Sequence, residues 1–593
     1  MKIPLLLLLA AFLVIGLTAE TIIPAGPVSG SWDAAGSPYR IMGDISISDL
    51  QSLTVGPGVD VVFQGTYKLD VYGQIVCNGN VDNNITFTAQ DTLLGWQSIR
   101  FSNSGSAGNQ PSAFTYTNFS YGKAVNGASV SDPLNSGGAI WADFAGTLTF
   151  DHCQFIRCMT AADGGAVYAK NQTNINMNGC LIKGCDTEWF GGVYIEDGSA
   201  NFTDCAFFAN YSNVFGAAMY ILECPAINIT SCKFELNSAN AVGCIYCLYS
   251  PLVIKNSLFQ GNHTVTGRGG SIGITHGSCE ITNCTFAGNS TPMDGGAVWL
   301  NILDQPGAFT NCIFWDNQPD AVSNIETTYT LSYCSTQVAQ GGATNIHGNP
   351  LFADEENDDF TLLPTSPCID MGTPDPTGLG LPLTDLLGQP RVVDGDDDGV
   401  ARIDMGCYER PPVTHTGEIA GQVTSTTGDP IAGAVVTAGT VTANTDAWGL
   451  YSMTVPAGVY SVTCSKEGYA PATQDNVTVT ANGMVIVNFV LTAVAVSDPA
   501  DISPVVSLEA YPNPFSASTE IVFNISRAMP VRVEIFNVRG QLVGSLLQAG
   551  LGKGGHRVVW DGRTDAGGVA GRGVYFCRLS AEGKTLILRL LRY

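Results

Sequence analysis

Basic residues are scarce in this chain. Across 593 residues there are 26 Lys and Arg against 52 Asp and Glu, a formal net charge of −26, and charged side chains of both signs make up only 13%. That balance excludes nucleic acid as an expected partner. Residues 505–593 alone run the other way, with 11 Lys/Arg against 6 Asp/Glu. Long apolar runs are also missing, and no stretch after Leu17 is long and apolar enough to cross a bilayer. The one apolar run, residues 4–17, follows Lys2 and ends in Leu17-Thr18-Ala19. It is expected to be a cleavable export signal covering residues 1–19, because it is short and small residues close it. No Cys stands near that cleavage point, so a lipid anchor is not expected.

What the chain has in plenty is Gly, and it recurs. Between residues 137 and 317 a period of about 26 residues is marked by Gly137-Gly138, Gly164-Gly165, Gly191-Gly192, Gly216-Ala217, Val242-Gly243, Gly269-Gly270 and Gly295-Gly296. Some 15 residues later comes Cys153, Cys180, Cys205, Cys232, Ser257, Cys284 or Cys312, each two residues before Phe or Ile. Five residues further stand Cys158, Cys185, Asn210, Asn237, Asn262, Asn289 and Asn317. Such a period, built of short β-branched runs and turn residues, describes one coil of a solenoid. A right-handed parallel β-helix is the expected fold, all-β, with equivalent strands stacked about 4.8 Å apart.

The stacked columns have expected faces. Ile140, Val167, Tyr194, Met219, Ile245, Ile272 and Val298 are expected in the core, with the Cys and Phe columns. A buried Asn column can satisfy turn backbone of its own coil and bond the next side chain. The chain holds 18 Cys. Stacked Cys one rung apart are within disulfide reach, yet free Cys also packs as a small hydrophobe, and both readings stand. Cys244-x-x-Cys247 lacks the second pair of a zinc site.

Three sets of residues are candidates for chemistry. One step along from the core column lie Trp141, Tyr168, Ile195, Tyr220, Tyr246, Gly273 and Trp299, of opposite parity and so outward. Aromatic faces on a rigid surface suit sugar rings; a covered, structural stacking ladder is the other reading. Asp143, Lys170 and Asp197 fall on three successive coils. They are either a weak acid–base constellation or an exposed charge ladder. Asp394, Asp396 and Asp398, followed by Gly399, with Asp404 beyond, have the alternation of a structural Ca²⁺ loop; Met405 at the twelfth position excludes a full EF-hand. The acidic run 354–359 either joins that site or is a solvated loop.

Resemblances order the rest. The Gly-Gly and Phe-x-x-Asn marks resemble the repeats of polymorphic outer-membrane adhesins. Residues 20–135 resemble the irregular first coils of secreted β-helix proteins. Gly348-Asn349-Pro350-Leu351-Phe352, Ser366-Pro367-Cys368-Ile369-Asp370 and Arg402-Ile403-Asp404-Met405-Gly406 resemble the closing module of choice-of-anchor β-helix proteins, which sets 20–410 as one region. Residues 416–493, with Gly428-x-Pro430-Ile431-x-Gly433-Ala434 and Gly458-x-Tyr460, resemble the carboxypeptidase regulatory-like domain, a transthyretin-like β-sandwich. A linker, 494–508, leads to Tyr511-Pro512-Asn513-Pro514-Phe515, Trp560-Asp561-Gly562-Arg563 and Gly573-Val574-Tyr575-Phe576. These residues, spanning 509–593, resemble the type IX secretion sorting domain and the immunoglobulin-like domain of the flagellar hook cap protein. Those resemblances imply export to the outer-membrane surface or beyond, with the secretion translocon as partner of the last domain.

Together these readings lead to the expectation of an exported surface protein that binds polysaccharide or surface glycan without cleaving it. The alternative is a polysaccharide lyase or glycoside hydrolase of the pectin-cleaving β-helix type. Beyond Ca²⁺ no cofactor is expected.

Overall fold

The computed structural model describes residues 20–105, 108–125, 127, 132–412, 415–494 and 505–593. The expected export signal, 1–19, and most of the expected linker, 495–504, lie outside them. Among the described residues no helix is long and apolar enough to cross a membrane. The chain divides into two compact units at residues 413 and 414.

The first unit is a parallel β-helix. Each regular coil lays down three strands and a two-residue fourth, for example Ile140–Asp143, Thr147–Asp151, Gln154–Ile156 and Met159–Thr160. Stacking them gives sheet I with 12 strands, sheet II with 12, sheet III with 14 and a narrow sheet IV with 6. The pairs are parallel and in register: Ile140 faces Val167, Leu148 faces Ile175 and Phe155 faces Ile182. Corners are made by residues in the left-handed region, such as Phe144 (φ 50°), His152 (φ 52°) and Arg157 (φ 52°). A non-Gly residue is strained there. The corner persists because its backbone is bonded to the next coil, with His152 N donating to Asn178 O at 2.7 Å and Arg157 N to Lys183 O at 3.0 Å.

The core follows from the columns. Phe207, Phe234, Phe259, Phe286 and Phe314 stack ring on ring at 4.7–4.9 Å, all essentially inaccessible. The Asn column is buried too. Asn237 Oδ1 accepts from both the backbone N and Nδ2 of Asn210, while Asn237 Nδ2 donates to Phe207 O and Asn262 Oδ1. The backbone groups it satisfies belong to the preceding coil, so the ladder fastens coil to coil instead of closing its own turn. All 18 Cys are buried free thiols. Their sulfurs bond carbonyls, as Cys180 Sγ does with Phe150 O (3.4 Å), and accept from backbone, as Cys180 Sγ does from Cys153 N (3.4 Å).

One core assignment is corrected. Tyr194 pairs with Tyr168, and Val193 with Val167. The coil of Gly191-Gly192 has one residue fewer between its glycines and its strand, so Val193 fills the core place and Tyr194 moves outward.

Coiling ends near Ile346–His347. The following residues fold back along the solenoid's flank. Phe352, Phe360, Ile369, Met405 and Tyr408 cluster with Leu258, Ala287 and Ile313 of sheet III. Polar ties run beside them: Asn283 Nδ2 donates to the carbonyls of Asp404 and Gly406, Thr373 N donates to Asn311 Oδ1, and buried Arg391 joins Asn256 and Glu409.

The second unit is all antiparallel apart from short parallel pairings. Residues 415–494 form two sheets around a core including Ile419, Val436, Tyr451, Val462 and Phe489. Residues 505–593 form a three-stranded and a four-stranded sheet around Phe523, Val533, Trp560 and Leu579. Cys577 is part of that apolar core.

Candidate functional site

The outer side of sheet I carries the aromatic ladder. Register places Arg100, Trp141, Tyr168, Tyr194, Tyr220, Tyr246, Gly273, Trp299 and Ser323 in one column. The rings stack nearly parallel: Trp141 on Tyr168 at 6.4 Å, Tyr168 on Tyr194 at 4.7 Å and Tyr194 on Tyr220 at 5.3 Å. Tyr194, where Ile195 was expected, makes the run continuous. Ile195 itself is buried.

The ladder is less open than its parity predicts. Trp141, Tyr194 and Tyr220 are only 6–7% exposed, while Tyr168, Tyr246 and Trp299 are half-buried. The cover comes from residues that the repeat marks do not flag. Phe190 stacks on Tyr220 at 4.4 Å and Phe215 lies 4.9 Å from Tyr246. The Arg100 guanidinium sits 4.2 Å over Trp141, and that of Arg268 5.8 Å over Trp299, both favourable for the ring quadrupole. Burial lowers the Arg100 pKa to about 10, against the pull of Asp70 and Asp132. Beside the ladder, the Trp189 indole is 41% exposed and meets Phe190 edge-on at 6.1 Å.

Carboxyl groups border the same rings. Tyr194 Oη donates to Glu196 Oε2 at 3.1 Å. Asp163 has one oxygen, Oδ1, that is buried without a hydrogen-bond partner. Burial, then the charge of Glu196, pushes its pKa up to about 7. Burial and the same carboxylates push the Tyr168 and Tyr194 phenols up.

The expected column Asp143, Lys170 and Asp197 is not one column. Asp143 and Lys170 are paired in register and joined by a salt bridge of 3.7 Å. Asp197 is an exposed left-handed corner (φ 48°) instead, and Glu196 precedes it on the strand. The short coil that moved Tyr194 moves this position as well.

The acidic loop is also rearranged. Asp394 and Asp396 come together with Asp370, with carboxylate oxygens of all three within 4.8 Å of one another. Asp370 is buried and already accepts from the backbone N of Gly395, Asp396 and Arg402, so it holds the loop in place. Asp398 is drawn to Arg402 at 3.1 Å, which lowers its pKa. Asp404 is fully buried, with its two oxygens accepting from the backbone N of Asp370 and Arg410. Neither belongs to the cluster. In the run 354–359, Asp358 accepts from Gln260 at 2.8 Å, and none of its carboxylates joins the cluster.

Comparison with known proteins places one segment. Residues 418–492 match the carboxypeptidase regulatory-like domain family. No curated protein sequence matches the chain. Among solved structures, a cohesin–X-dockerin complex from Acetivibrio cellulolyticus is 26% identical over 13% of this chain, at a TM-score of 0.12; the chain spans 58% of its length. A Bacteroides uniformis protein described as carbohydrate binding is 14% identical, covering 29% of this chain and 99% of its own, at 0.13. A streptococcal ancillary pilin is 12% identical, covering 34% and 70%, also at 0.13.

Proposed function

We propose that this chain is an exported surface protein whose β-helix holds a glycan against sheet I and does not cleave it. The observation that carries the reading is the open indole of Trp189 beside the half-buried rings of Tyr168, Tyr246 and Trp299, which the stack from Trp141 through Tyr220 holds in place. Rings fixed by such a stack lose little conformational entropy on binding, and exposed apolar surface beside them marks an interaction site. The carboxypeptidase regulatory-like segment is then a spacer, and residues 509–593 direct secretion by the type IX route.

A structural Ca²⁺ belongs to this reading, held by Asp370, Asp394 and Asp396. Hard oxygen donors gathered on a loop already braced by backbone N–H groups fit that ion.

The test incubates the purified protein with acidic and neutral polysaccharides, scoring retention and new chain ends together. Retention without cleavage, lost in Tyr168→Ala and Trp189→Ala, is expected. New reducing or unsaturated ends would make the β-helix an enzyme.

A further inference from the structure

The buried Asn ladder ends at Asn317. In each rung from Asn210 to Asn289, the backbone N and Nδ2 of one Asn both donate to Oδ1 of the Asn one coil on. Asn317 Oδ1 accepts from Asn289 in this way, and Asn317 Nδ2 donates to Phe286 O at 2.9 Å. The next coil supplies no oxygen in return. Thr336 pairs with Phe314, so Ala339 continues that register where an Asn would be needed. Residues 337–345 instead form a loop that leads to Ile346–His347. Asn317 N and the second proton of Nδ2 therefore have no partner among the described residues, although Asn317 is only 5% exposed.

A cleft of about 260 Å³ lies at this end of the ladder. Asn317, Phe314, Ala321 and Thr336 line its inner part, and exposed Gln337, Val338 and Gln340 line its outer part, so it is reached from solvent. Unpaired donors beside a dry core are costly, and an acceptor in the cleft relieves that cost. Every earlier rung meets the same two donors with a carboxamide oxygen. A carboxylate could accept as well, but Asp320 lines the cleft and disfavours an anion. Phe314 and Ala321 offer apolar contact to a methyl group. The amides of Gln337 and Gln340 make no hydrogen bond within the described residues. Each carries both a donor and an acceptor, as a ring hydroxyl requires.

We propose that this cleft binds the acetamido group of an N-acetylated amino sugar, with Asn317 N and Nδ2 donating to its carbonyl oxygen. The acetamido group takes the place that the next Asn side chain holds elsewhere in the ladder, and the sugar ring lies outward between Gln337 and Gln340. The site is separate from the aromatic face of sheet I and does not depend on the reading given to that face.

The experiment uses saturation-transfer NMR on the full chain with the methyl glycosides of N-acetylglucosamine, glucosamine and glucose, followed by titration of each. The first should bind about tenfold tighter or more than the others, the scale of two neutral hydrogen bonds. Its acetyl methyl should receive the strongest saturation. Asn317→Asp keeps the acceptor for Asn289 but removes the Nδ2 donor, and should abolish the preference. Gln337→Ala with Gln340→Ala, both on exposed residues, should weaken the N-acetylated sugar several-fold, and circular dichroism of each variant separates lost binding from lost fold. Equal binding of the three glycosides, or a preference that survives both sets of substitutions, would overturn the site. Tighter binding of N-acetylasparagine amide than of the sugar would overturn it in favour of a protein side chain. No saturation of any probe would mean that water alone fills the cleft, and would overturn it too.

Discussion

Asp163 is held at a cost. A carboxyl whose pKa rises from 3.8 to about 7 on folding favours the protonated form. Its contribution to stability is therefore complete below about pH 4 and lost as pH rises through 7. Asn in its place keeps the shape and removes the ionisation. Asp163→Asn should melt at a higher temperature than the parent at pH 7.5, with the difference shrinking towards pH 4. Thermal melts across that range check it, and a pH-independent difference would refute it. A residue that destabilises the protein at neutral pH is of the kind found where function is stored. The Asn ladder shows the opposite economy. Asn237→Leu leaves Asn210 N, one proton of Asn210 Nδ2 and Phe207 O without partners in a dry core. At about 1–3 kcal/mol for each orphaned group, the loss should be about 3 kcal/mol or more. Urea unfolding would read it, and hydrogen exchange should show the opening centred on the coils of Asn210 and Asn262.

At the scale of elements, one buried Arg–Glu pair adds to the apolar cluster that holds the folded-back segment after residue 347. Arg391 is 5% exposed, Glu409 3%, and their contact is 2.5 Å. Arg391 also reaches Asn256 on the solenoid. Removing one partner of a buried pair costs about 3–5 kcal/mol because the other charge stays buried. Arg391→Met should therefore release the segment first. Limited proteolysis should cut between residues 348 and 410 while the coils remain protected, whereas unchanged cutting would mean that the apolar contacts to Leu258 and Ile313 suffice. These elements also show what the sequence discloses. The Phe, Cys and Asn columns are legible because each repeats in phase with the coil and each has one physical use. Tyr194 and Glu196 are not, since one residue fewer after Gly192 shifts a strand's phase without changing its marks. Asp370 is hidden by distance, lying 24 residues from Asp394 until the segment folds back. Phe190, Phe215 and Trp189 escape notice because turn residues carry no fixed periodicity, although their place beside the marker Gly is a usable signal.

For the whole molecule, the two units differ in what can stabilise them. The carboxylates that come together, Asp370, Asp394 and Asp396, all belong to the first unit. A ligand that binds only the folded form raises stability by mass action, and only for the unit that carries the site. A solenoid adds a second consequence. Its coils contact only neighbours, so stability is propagated from rung to rung. The acidic loop is fastened to three successive coils by Asn256, Asn283 and Asn311 through the segment that contains it. Tightening that loop should therefore hold the central coils as well. Calorimetry of the full chain should show at least two transitions, one rising with millimolar Ca²⁺ and falling on chelation, the other indifferent to both. Asp394→Asn with Asp396→Asn should abolish the calcium response of the first and leave the second where it was. A response shared by both transitions, or one that survives the double substitution, would place the ion elsewhere and return the acidic loop to a solvated turn.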